Sequence, residues 1–167
     1  MKNAIKLLLA GVLVMQLACS NEAEQKAKAL FEQASKVHHE AVEVHNAVMK
    51  DMSQLAELKT KLTEKQNAAD SAQKQAIAQA ITDLENVEGK MKEWMKNLVE
   101  VPGDEHHEHE GHNHEGHDHE GHEHHDHEAA KNLTPDQVLE LQKEAKTNIE
   151  AIRQELANAV ENAKKLL

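Results

Sequence analysis

Apolar residues recur along most of this chain at alternating steps of three and four, the spacing that places them on one face of an α-helix. The mean step is close to 3.5 residues, the period of coiled coils. Asp51 interrupts the first of three such apolar seams, and Met52 can take its place. The seams are Leu30, Ala34, Val37, Ala41, Val44, Val48, Leu55, Leu58 and Leu62; Ala80, Leu84, Val87, Met91, Trp94 and Leu98; and Val138, Leu141, Ala145, Ile149, Ile152, Leu156, Ala159, Ala163 and Leu166.

The ends of three helices can be predicted from turn and capping residues. The polar run Lys65-Gln66-Asn67 predicts the turn after helix 1, and Pro102-Gly103 follows the end of helix 2. Thr134-Pro135-Asp136-Gln137 has the residues of a capping box, with Thr at the N-cap, Pro at the first helical position and Gln at N3. The predicted helices are therefore residues 22–64, 69–99 and 134–166.

An all-α fold follows, and composition agrees with it. The chain has one Phe, one Trp and no Tyr, which speaks against a β-sheet core. The simplest architecture is a three-helix antiparallel bundle or coiled coil, forming a single domain over residues 19–167. Residues 101–131 are predicted to be a disordered loop rich in His, Asp, Glu and Gly between helices 2 and 3.

Metal-binding chemistry is concentrated in that loop, within residues 104–128, which we call the His tract. Three tandem copies of E-G-H-x-H fall in it, and each glycine lets the backbone bend so that neighbouring imidazoles can converge on an ion. Imidazole is the usual protein ligand for Zn(II), Cu and Ni(II), and carboxylates add oxygen donors. A solvated spacer remains the alternative. The candidate ligands are His106, His107, His109, His112, His114, His117, His119, His122, His124, His125 and His127.

The first residues resemble a bacterial lipoprotein signal peptide. Lys2 and Lys6 precede an apolar run too short to span a bilayer, and the run ends at Leu17-Ala18-Cys19-Ser20. Gln16 departs from the pattern, which prefers an aliphatic or small residue there. We expect residues 1–18 to be removed and Cys19, the one cysteine of the sequence, to carry the lipid. An ordinary secretory signal with a stray cysteine is the alternative.

Charge limits the classes of function. The formal net charge is −11, and loss of Lys2 and Lys6 with the signal peptide makes it −13. So acidic a chain, without a basic patch, does not suit nucleic acid. No activated Ser or Cys and no phosphate-binding loop is recognisable, and a metalloenzyme would need a rigid open site. We therefore expect no enzymatic activity.

Methionines suggest a second site, for a soft metal ion. His45 and Met49 share one helical stripe, and Met91, Trp94 and Met95 share another. A hairpin that closes near Gln66 would bring His45 opposite Lys90 and Met91, His39 opposite Met95, and Met49 close to Glu85 and Asn86. Thioether sulfur favours Cu(I), and a Trp face can cover a cation. Ordinary core packing of these residues is the alternative.

Two segments carry a family resemblance. H-x-x-V-M-x-x-M, His45 to Met52, and M-x-x-W-M, Met91 to Met95, resemble small bacterial lipoproteins catalogued as "viral A-type inclusion protein", a label that implies no viral role. The similarity covers roughly residues 40–100 and helix 3. It implies a helical, membrane-anchored protein and carries over no catalytic residue. Those proteins have a short connection where this chain has the His tract. The His, Met and Trp grouping also looks like the ligand set of periplasmic copper and silver chaperones, in chemistry only.

The leading hypothesis is a membrane-anchored lipoprotein that buffers or delivers Zn(II), Cu or Ni(II) in the bacterial envelope, at the outer membrane facing the periplasm or the cell surface. The main alternative is a structural coiled-coil lipoprotein that acts as a spacer or binds a partner. A pH sensor is a further alternative, because eleven imidazoles would gain charge together near pH 6.5. Pairing of the seams with another helical protein, or with a second copy, stays open.

Overall fold

The computed structural model describes residues 2–104 and 132–167, with side chains described from residue 21 onward. These residues are almost entirely helical and form no strand, so the predicted all-α class is confirmed. The helices are α1 (Lys2–Met52), α2 (Leu55–Ala68), α3 (Ser71–Asn97) and α4 (Pro135–Lys165).

The first predicted helix is two helices, α1 and α2, which meet at a turn. α1 ends at Met52 and α2 begins at Leu55. The Ser53 hydroxyl donates to the Lys50 carbonyl at 2.7 Å, which satisfies an acceptor that the end of the helix leaves open. Asp51 stays exposed at this break.

The predicted turn at Lys65-Gln66-Asn67 was wrong. α2 continues through these residues to Ala68, and the connection to α3 is formed by Ala69 and Asp70. Lys and Gln are favourable inside a helix, so their polarity does not end one. The Asp70 side chain accepts a hydrogen bond from the Gln73 amide at 2.9 Å and caps α3. α3 then ends at Asn97, two residues before the predicted end.

The predicted capping box at the start of α4 is confirmed. The Thr134 hydroxyl accepts from the Gln137 amide at 3.4 Å, and the Gln137 side-chain oxygen accepts from the Thr134 amide at 2.8 Å. Pro135 occupies the first turn, where its missing N–H has no partner to lose. These local hydrogen bonds fix the residue at which α4 begins.

Cross-helix contacts give the directions of the helices. Lys90 on α3 pairs with Glu155 on α4 at 2.6 Å, while Val99, just beyond α3, meets Gln142. Residue numbers therefore fall on α4 as they rise on α3, and the two run in opposite directions. Glu40 on α1 pairs with Lys146, and Lys65 on α2 reaches the Leu167 carbonyl, so α1 and α2 run in the same direction as α4.

Two buried clusters lie along the helices. The larger one, which we call the long cluster, joins all four helices and includes Leu55, Leu62, Ile77, Leu84, Met91, Trp94, Ile149 and Leu156. The smaller one, the end cluster, consists of Ala34, Val101, Val138 and Leu139, with Leu30, Phe31, Val37 and Leu133 packed against it.

The predicted seam of the last helix is wrong at one position. Leu141 is 36% exposed, whereas Gln142 is fully buried, at 0%. The buried face at this end of α4 therefore contains Val138, Leu139 and the polar Gln142, and not the apolar Leu141. The reason is a polar contact that the seam could not reveal, described below.

Candidate functional site

The eleven predicted histidine ligands of the His tract lie in residues 105–131, outside the described residues. The structure does describe the residues on both sides. We call Asp104, on the α3 side, and Leu133, on the α4 side, the two roots of the tract. Their surroundings define where the tract joins the bundle.

The first root is bound to α1 by its carboxylate. The Ser35 hydroxyl donates to Asp104 Oδ2 at 2.6 Å, and His39 Nε2 lies 3.1 Å from the same oxygen. The Asp104 side chain is only 8% exposed, against 42% for His39. A carboxylate buried to this degree needs such partners, so Ser35 and His39 fix the start of the His tract on the surface of α1.

A tight turn delivers Asp104 to that position. The Asp104 amide donates to the Val101 carbonyl at 3.1 Å, which closes a turn over Pro102 and Gly103. Gly103 has φ of +84°, a conformation that costs glycine little and other residues more. Val101 is buried in the end cluster, so packing holds the start of the turn. Contacts with Ser35 and His39 of α1 hold Asp104 at its end.

The second root enters the same end of the bundle. Leu133 packs against the end cluster together with Leu30 and Phe31 of α1. The capping box at Thr134 then starts α4 directly behind it. Both roots of the His tract therefore join the molecule beside one stretch of α1, residues 30–39.

A buried polar link crosses the bundle next to these roots. The Gln142 amide nitrogen donates to the Val99 carbonyl at 2.6 Å, so its oxygen faces His38 and accepts from His38 Nδ1 at 2.9 Å. His38 is 3% exposed and Gln142 0%. The link ties α1, α4 and the segment after α3 at a single level, which explains why Gln142 and not Leu141 turns inward.

Among the candidate soft-metal residues, His45 and Trp94 are in contact, but the register differs from the predicted one. His45 stacks on Trp94, with ring centroids 5.3 Å apart and planes 17° from parallel. The hairpin closes at Ala69 and Asp70 and not near Gln66, which moves α3 by about one helical turn relative to α1 and brings Trp94, instead of Lys90 and Met91, to His45.

Packing around this stack is tight. The Trp94 indole N–H donates to the Ala145 carbonyl at 2.7 Å, which fixes the ring between α3 and α4. Met91 is 1% exposed, and Met49 and Met95 are partly buried against the same long cluster. His45 Nδ1 lies 3.1 Å from the Asn46 side-chain oxygen. His39 lies beside Asp104, and its predicted placement opposite Met95 is not observed. The arrangement places the His45 imidazole against the Trp94 indole, with three methionines in or against the same buried cluster.

Two open grooves flank these features. One, of about 460 Å³, runs between α3 and α4 and includes Trp94, Leu98, Leu141, Glu144, Asn148 and Glu155. The other, of about 560 Å³, lies between α1 and the turn before the His tract and includes Lys28, Phe31, Glu32, Pro102 and Asp104.

One ion pair near the polar link shifts the protonation of its members. Lys146 Nζ lies 2.7 Å from Glu40 Oε2, between α4 and α1. The hydrogen bond from Lys146, and its charge, hold the pKa of Glu40 below its ordinary value of 4.5. The Glu40 carboxylate in turn raises the pKa of Lys146 above 10.5. Both groups are therefore charged at neutral pH.

Sequence reasoning missed Ser35 as a partner of Asp104 and Gln142 as a partner of His38. The adjacent His38 and His39 were one available signal, since two imidazoles beside a buried seam need polar partners.

Within the described residues, no group of three or more His, Cys, Asp or Glu side chains could hold a metal ion. In the same part of the chain, no helix combines the length and apolarity needed to cross a membrane. Cys19 lies within α1, and its side chain is outside those described.

Comparisons with protein-family models, with curated proteins and with solved structures found no match to this chain.

Proposed function

We propose that this protein is a membrane-anchored lipoprotein that binds Zn(II), Cu or Ni(II) ions and buffers or delivers them in the bacterial envelope. The observation that carries the proposal is the density of ligands: eleven histidines lie between His106 and His127, separated mainly by carboxylates and glycine. A spacer has no chemical need of imidazole, whereas a metal store does. The resemblance to helical bacterial lipoproteins agrees with this proposal but does not name a metal.

The proposed framework is a three-helix antiparallel bundle, with the His tract as the loop between its second and third helices. The first helix of this bundle is formed by α1 and α2 together. Asp104 and Leu133 support the assignment, because Asp104 is bonded to Ser35 of α1 and Leu133 packs against the end cluster, which includes Ala34 of α1. The tract can then vary in length or occupancy without disturbing the long cluster.

Removal of the tract tests the metal-binding proposal. A soluble chain from residue 20 onward is titrated with Zn(II), Cu(II) and Ni(II) in a calorimeter, beside a variant that lacks residues 105–128. We expect the deletion to remove most binding and to leave helical circular dichroism unchanged. It spares Asp104, so the contacts of the first root remain. Binding should weaken below about pH 6, because protons compete for imidazole.

A matched control separates ligands from length. All eleven tract histidines are replaced by Gln, which keeps the number of residues and the acidic charge. If this variant binds Zn(II) as the parent does, the carboxylates are sufficient and the imidazole proposal is wrong. The structural coiled-coil lipoprotein, with a helical partner or a second copy, then becomes the better proposal.

The lipid anchor is a separate part of the proposal. Cys19 follows the apolar run and is the one cysteine in the sequence. Cys19→Ser should shift the protein from the membrane fraction to soluble or unprocessed pools. Processed, membrane-bound protein in that variant would contradict the anchor. The proposed location is the outer membrane, facing the periplasm or the cell surface.

We also propose a second, soft-metal site formed by His45, Met49, Met91 and Met95 and covered by Trp94. The stack of His45 on Trp94, 5.3 Å between centroids, favours it, since an ion held by these ligands would lie close to the indole. Ag(I), which shares the sulfur preference of Cu(I), should quench Trp94 fluorescence in the tract-deleted chain. Met91→Leu with Met95→Leu keeps the packing volume and should remove the quenching. An unchanged response would leave these residues as core.

A further inference from the structure

One face of the α3–α4 pair is open as a groove of about 460 Å³, which we call the α3–α4 groove. The described residues that line it belong to α3, to α4 and to Leu98 and Val99, which follow α3. α1 packs on the same pair of helices, where His45 stacks on Trp94. The bundle therefore has three helices at this level, and the groove lies where a fourth helix would pack.

The residues that line the groove repeat at the spacing of a coiled coil. On α4, steps of four, three, four and three separate Leu141, Ala145, Asn148, Ile152 and Glu155. On α3, steps of four and three separate Lys90, Trp94 and Asn97. This is the period at which one helix packs along another, whereas the side chains of a strand repeat every two residues. The spacing on both walls therefore matches the apolar stripe of a docked helix.

The apolar part of the groove includes a leucine that the fold leaves exposed. Leu141 is 36% exposed, because the neighbouring Gln142 takes the buried position and accepts from His38. Among the described residues, the other large apolar side chain with comparable exposure is Leu167, which lies outside the groove. Leu98 is partly buried and lines the groove as well. A helix packed over Leu141 and Leu98 would remove their apolar surface from water, which favours binding.

Glutamates on both walls give the groove a negative charge. Glu93 lies on α3 and Glu144 on α4, and both are exposed. Within the described part of the chain neither takes part in an ion pair, whereas Lys90 is paired with Glu155 at 2.6 Å. The groove therefore has one lysine against three glutamates, and the charges of Glu93 and Glu144 are not neutralised by it.

This charge decides between a second copy and a different partner. A second copy docked through the same groove would bring its own Glu93 and Glu144 to the interface, and the chain has a formal net charge of −11. Like charges brought together in an interface oppose association. A helix with Lys or Arg on both sides of its apolar stripe would instead pair with the two glutamates. Charge pairs of this kind select the partner and speed association.

We propose that the α3–α4 groove binds an amphipathic helix of another protein, with an apolar stripe that packs on Leu141 and Leu98 and basic flanks that pair with Glu93 and Glu144. The docked helix completes a four-helix arrangement with α1, α3 and α4. The described residues of the groove include neither root of the His tract, so binding of this helix does not depend on the proposed metal binding.

The experiment uses the mature chain, residues 19–167, in a non-ionic detergent, with a chelator present so that metal ions do not quench Trp94. The probe is a synthetic helix of three heptads, with Leu and Ala in its apolar stripe, Lys on both flanks and no Trp. A matched peptide has Glu in place of every Lys. Trp94 lines the groove and is the one tryptophan of the chain, so its fluorescence reports docking. We expect saturable binding of the Lys peptide, weaker as salt rises, and no binding of the Glu peptide.

Three variants locate the binding surface. Leu141→Asp places a charge in the apolar part of the groove and should weaken binding about tenfold or more. Glu93→Gln with Glu144→Gln should weaken it about three- to tenfold and reduce its salt dependence. Glu64→Gln with Glu85→Gln removes the same charge from exposed positions outside the groove and should keep the parent affinity.

The Gln variants change exposed side chains only, so they decide the outcome if Leu141→Asp disturbs helical circular dichroism. The proposal is overturned if Trp94 does not respond to the Lys peptide, or if the Glu peptide binds equally well. Equal affinity in the groove and control Gln variants overturns it too. Light scattering gives the last outcome: a parent that dimerises, and becomes monomeric in Leu141→Asp, would make the groove an interface between two copies and not a site for a basic helix.

Discussion

At the end of the bundle near the α2–α3 connection the buried contacts are apolar, whereas at the end that carries the tract roots polar side chains join separate segments. Leu62, Ile77 and Ala163 represent the first end, each no more than 1% exposed. The His38–Gln142 contact and the Ser35–Asp104 contact represent the second. Apolar burial supplies most of the stability without regard to direction. Buried hydrogen bonds add little net stability but penalise every arrangement that leaves them unmade. The polar contacts therefore fix the relative positions of α1, α4 and the segment after α3. They lie at the end of the bundle where Asp104 begins the His tract.

The largest effect is expected in the apolar part. Leu84 is 0% exposed in the long cluster. Leu84→Ala removes buried methyl groups and leaves a cavity, so we expect the free energy of unfolding to fall by about 2–5 kcal/mol in urea denaturation. Leu141→Ala, at a residue 36% exposed, is the matched control and should cost about 1 kcal/mol or less. Equal losses in the two variants would contradict the assignment of stability to the long cluster.

The polar link should show a smaller cost and a characteristic coupling. Gln142→Leu removes the acceptor of His38 and the donor to Val99. We expect a loss of about 1–3 kcal/mol, because the buried imidazole loses a partner. The double variant His38→Leu with Gln142→Leu should recover part of that loss, since no polar group is then left behind. Strictly additive losses in this double-mutant cycle would show that the contact has no energetic role.

These two ends also differ in how far the sequence predicts them. The seam residues of the long cluster repeat at helical spacing, and the box formed by Thr134 and Gln137 depends on residues three apart, so both were predicted correctly. Gln142 has no such local signal. It turns inward because His38, more than a hundred residues earlier, provides a donor. Contacts of that kind become visible only when helices are brought together.

The errors in helix boundaries have a similar origin. Lys65-Gln66-Asn67 was read as a turn because it is polar, yet the helix continues until Asp70 can cap the next one. That shift in the connection also changed the partner of His45 to Trp94. The predicted pairing of His45 with Lys90 and Met91 was therefore wrong in its register, and metal binding by this group stays a prediction. The histidines of the His tract stay a prediction, because they lie outside the described residues.

The contact between Ser35 and Asp104 should stabilise the turn before the His tract and not the whole bundle. Ser35→Ala removes the hydroxyl that donates to the Asp104 carboxylate at 2.6 Å. We expect a loss of about 1–2 kcal/mol in local stability, seen as faster hydrogen exchange of the Val101, Gly103 and Asp104 amides and unchanged exchange in the long cluster. Ser53→Ala, which removes an exposed hydroxyl bond to the Lys50 carbonyl, is the control and should leave those amides unchanged. Uniformly faster exchange throughout α1 would mean that Ser35 supports the whole bundle and not the root alone.

The smallest effect is the pH dependence of the ion pair beside the polar link. Lys146 holds the pKa of Glu40 below 4.5 by a hydrogen bond and by its charge. Because the folded-state pKa is lowered, the pair's contribution to stability is present above about pH 4.5 and is lost as pH falls through that lowered value. The direction of this change in stability matters more than its size, since both side chains are partly exposed and the pair is screened by solvent.

Lys146→Met tests this pair directly. The pKa of Glu40, followed by the carbon chemical shift of its carboxyl group, should rise toward 4.5, and the acid-side loss of stability should begin at higher pH. Lys143→Met is the matched control, because Lys143 pairs with Glu140 on its own helix and should leave Glu40 unaffected. An unchanged Glu40 titration in Lys146→Met would contradict the contact between α1 and α4 at this level. In that case, the described side-chain contact that aligns α1 with α4 near the His tract would be the one between His38 and Gln142.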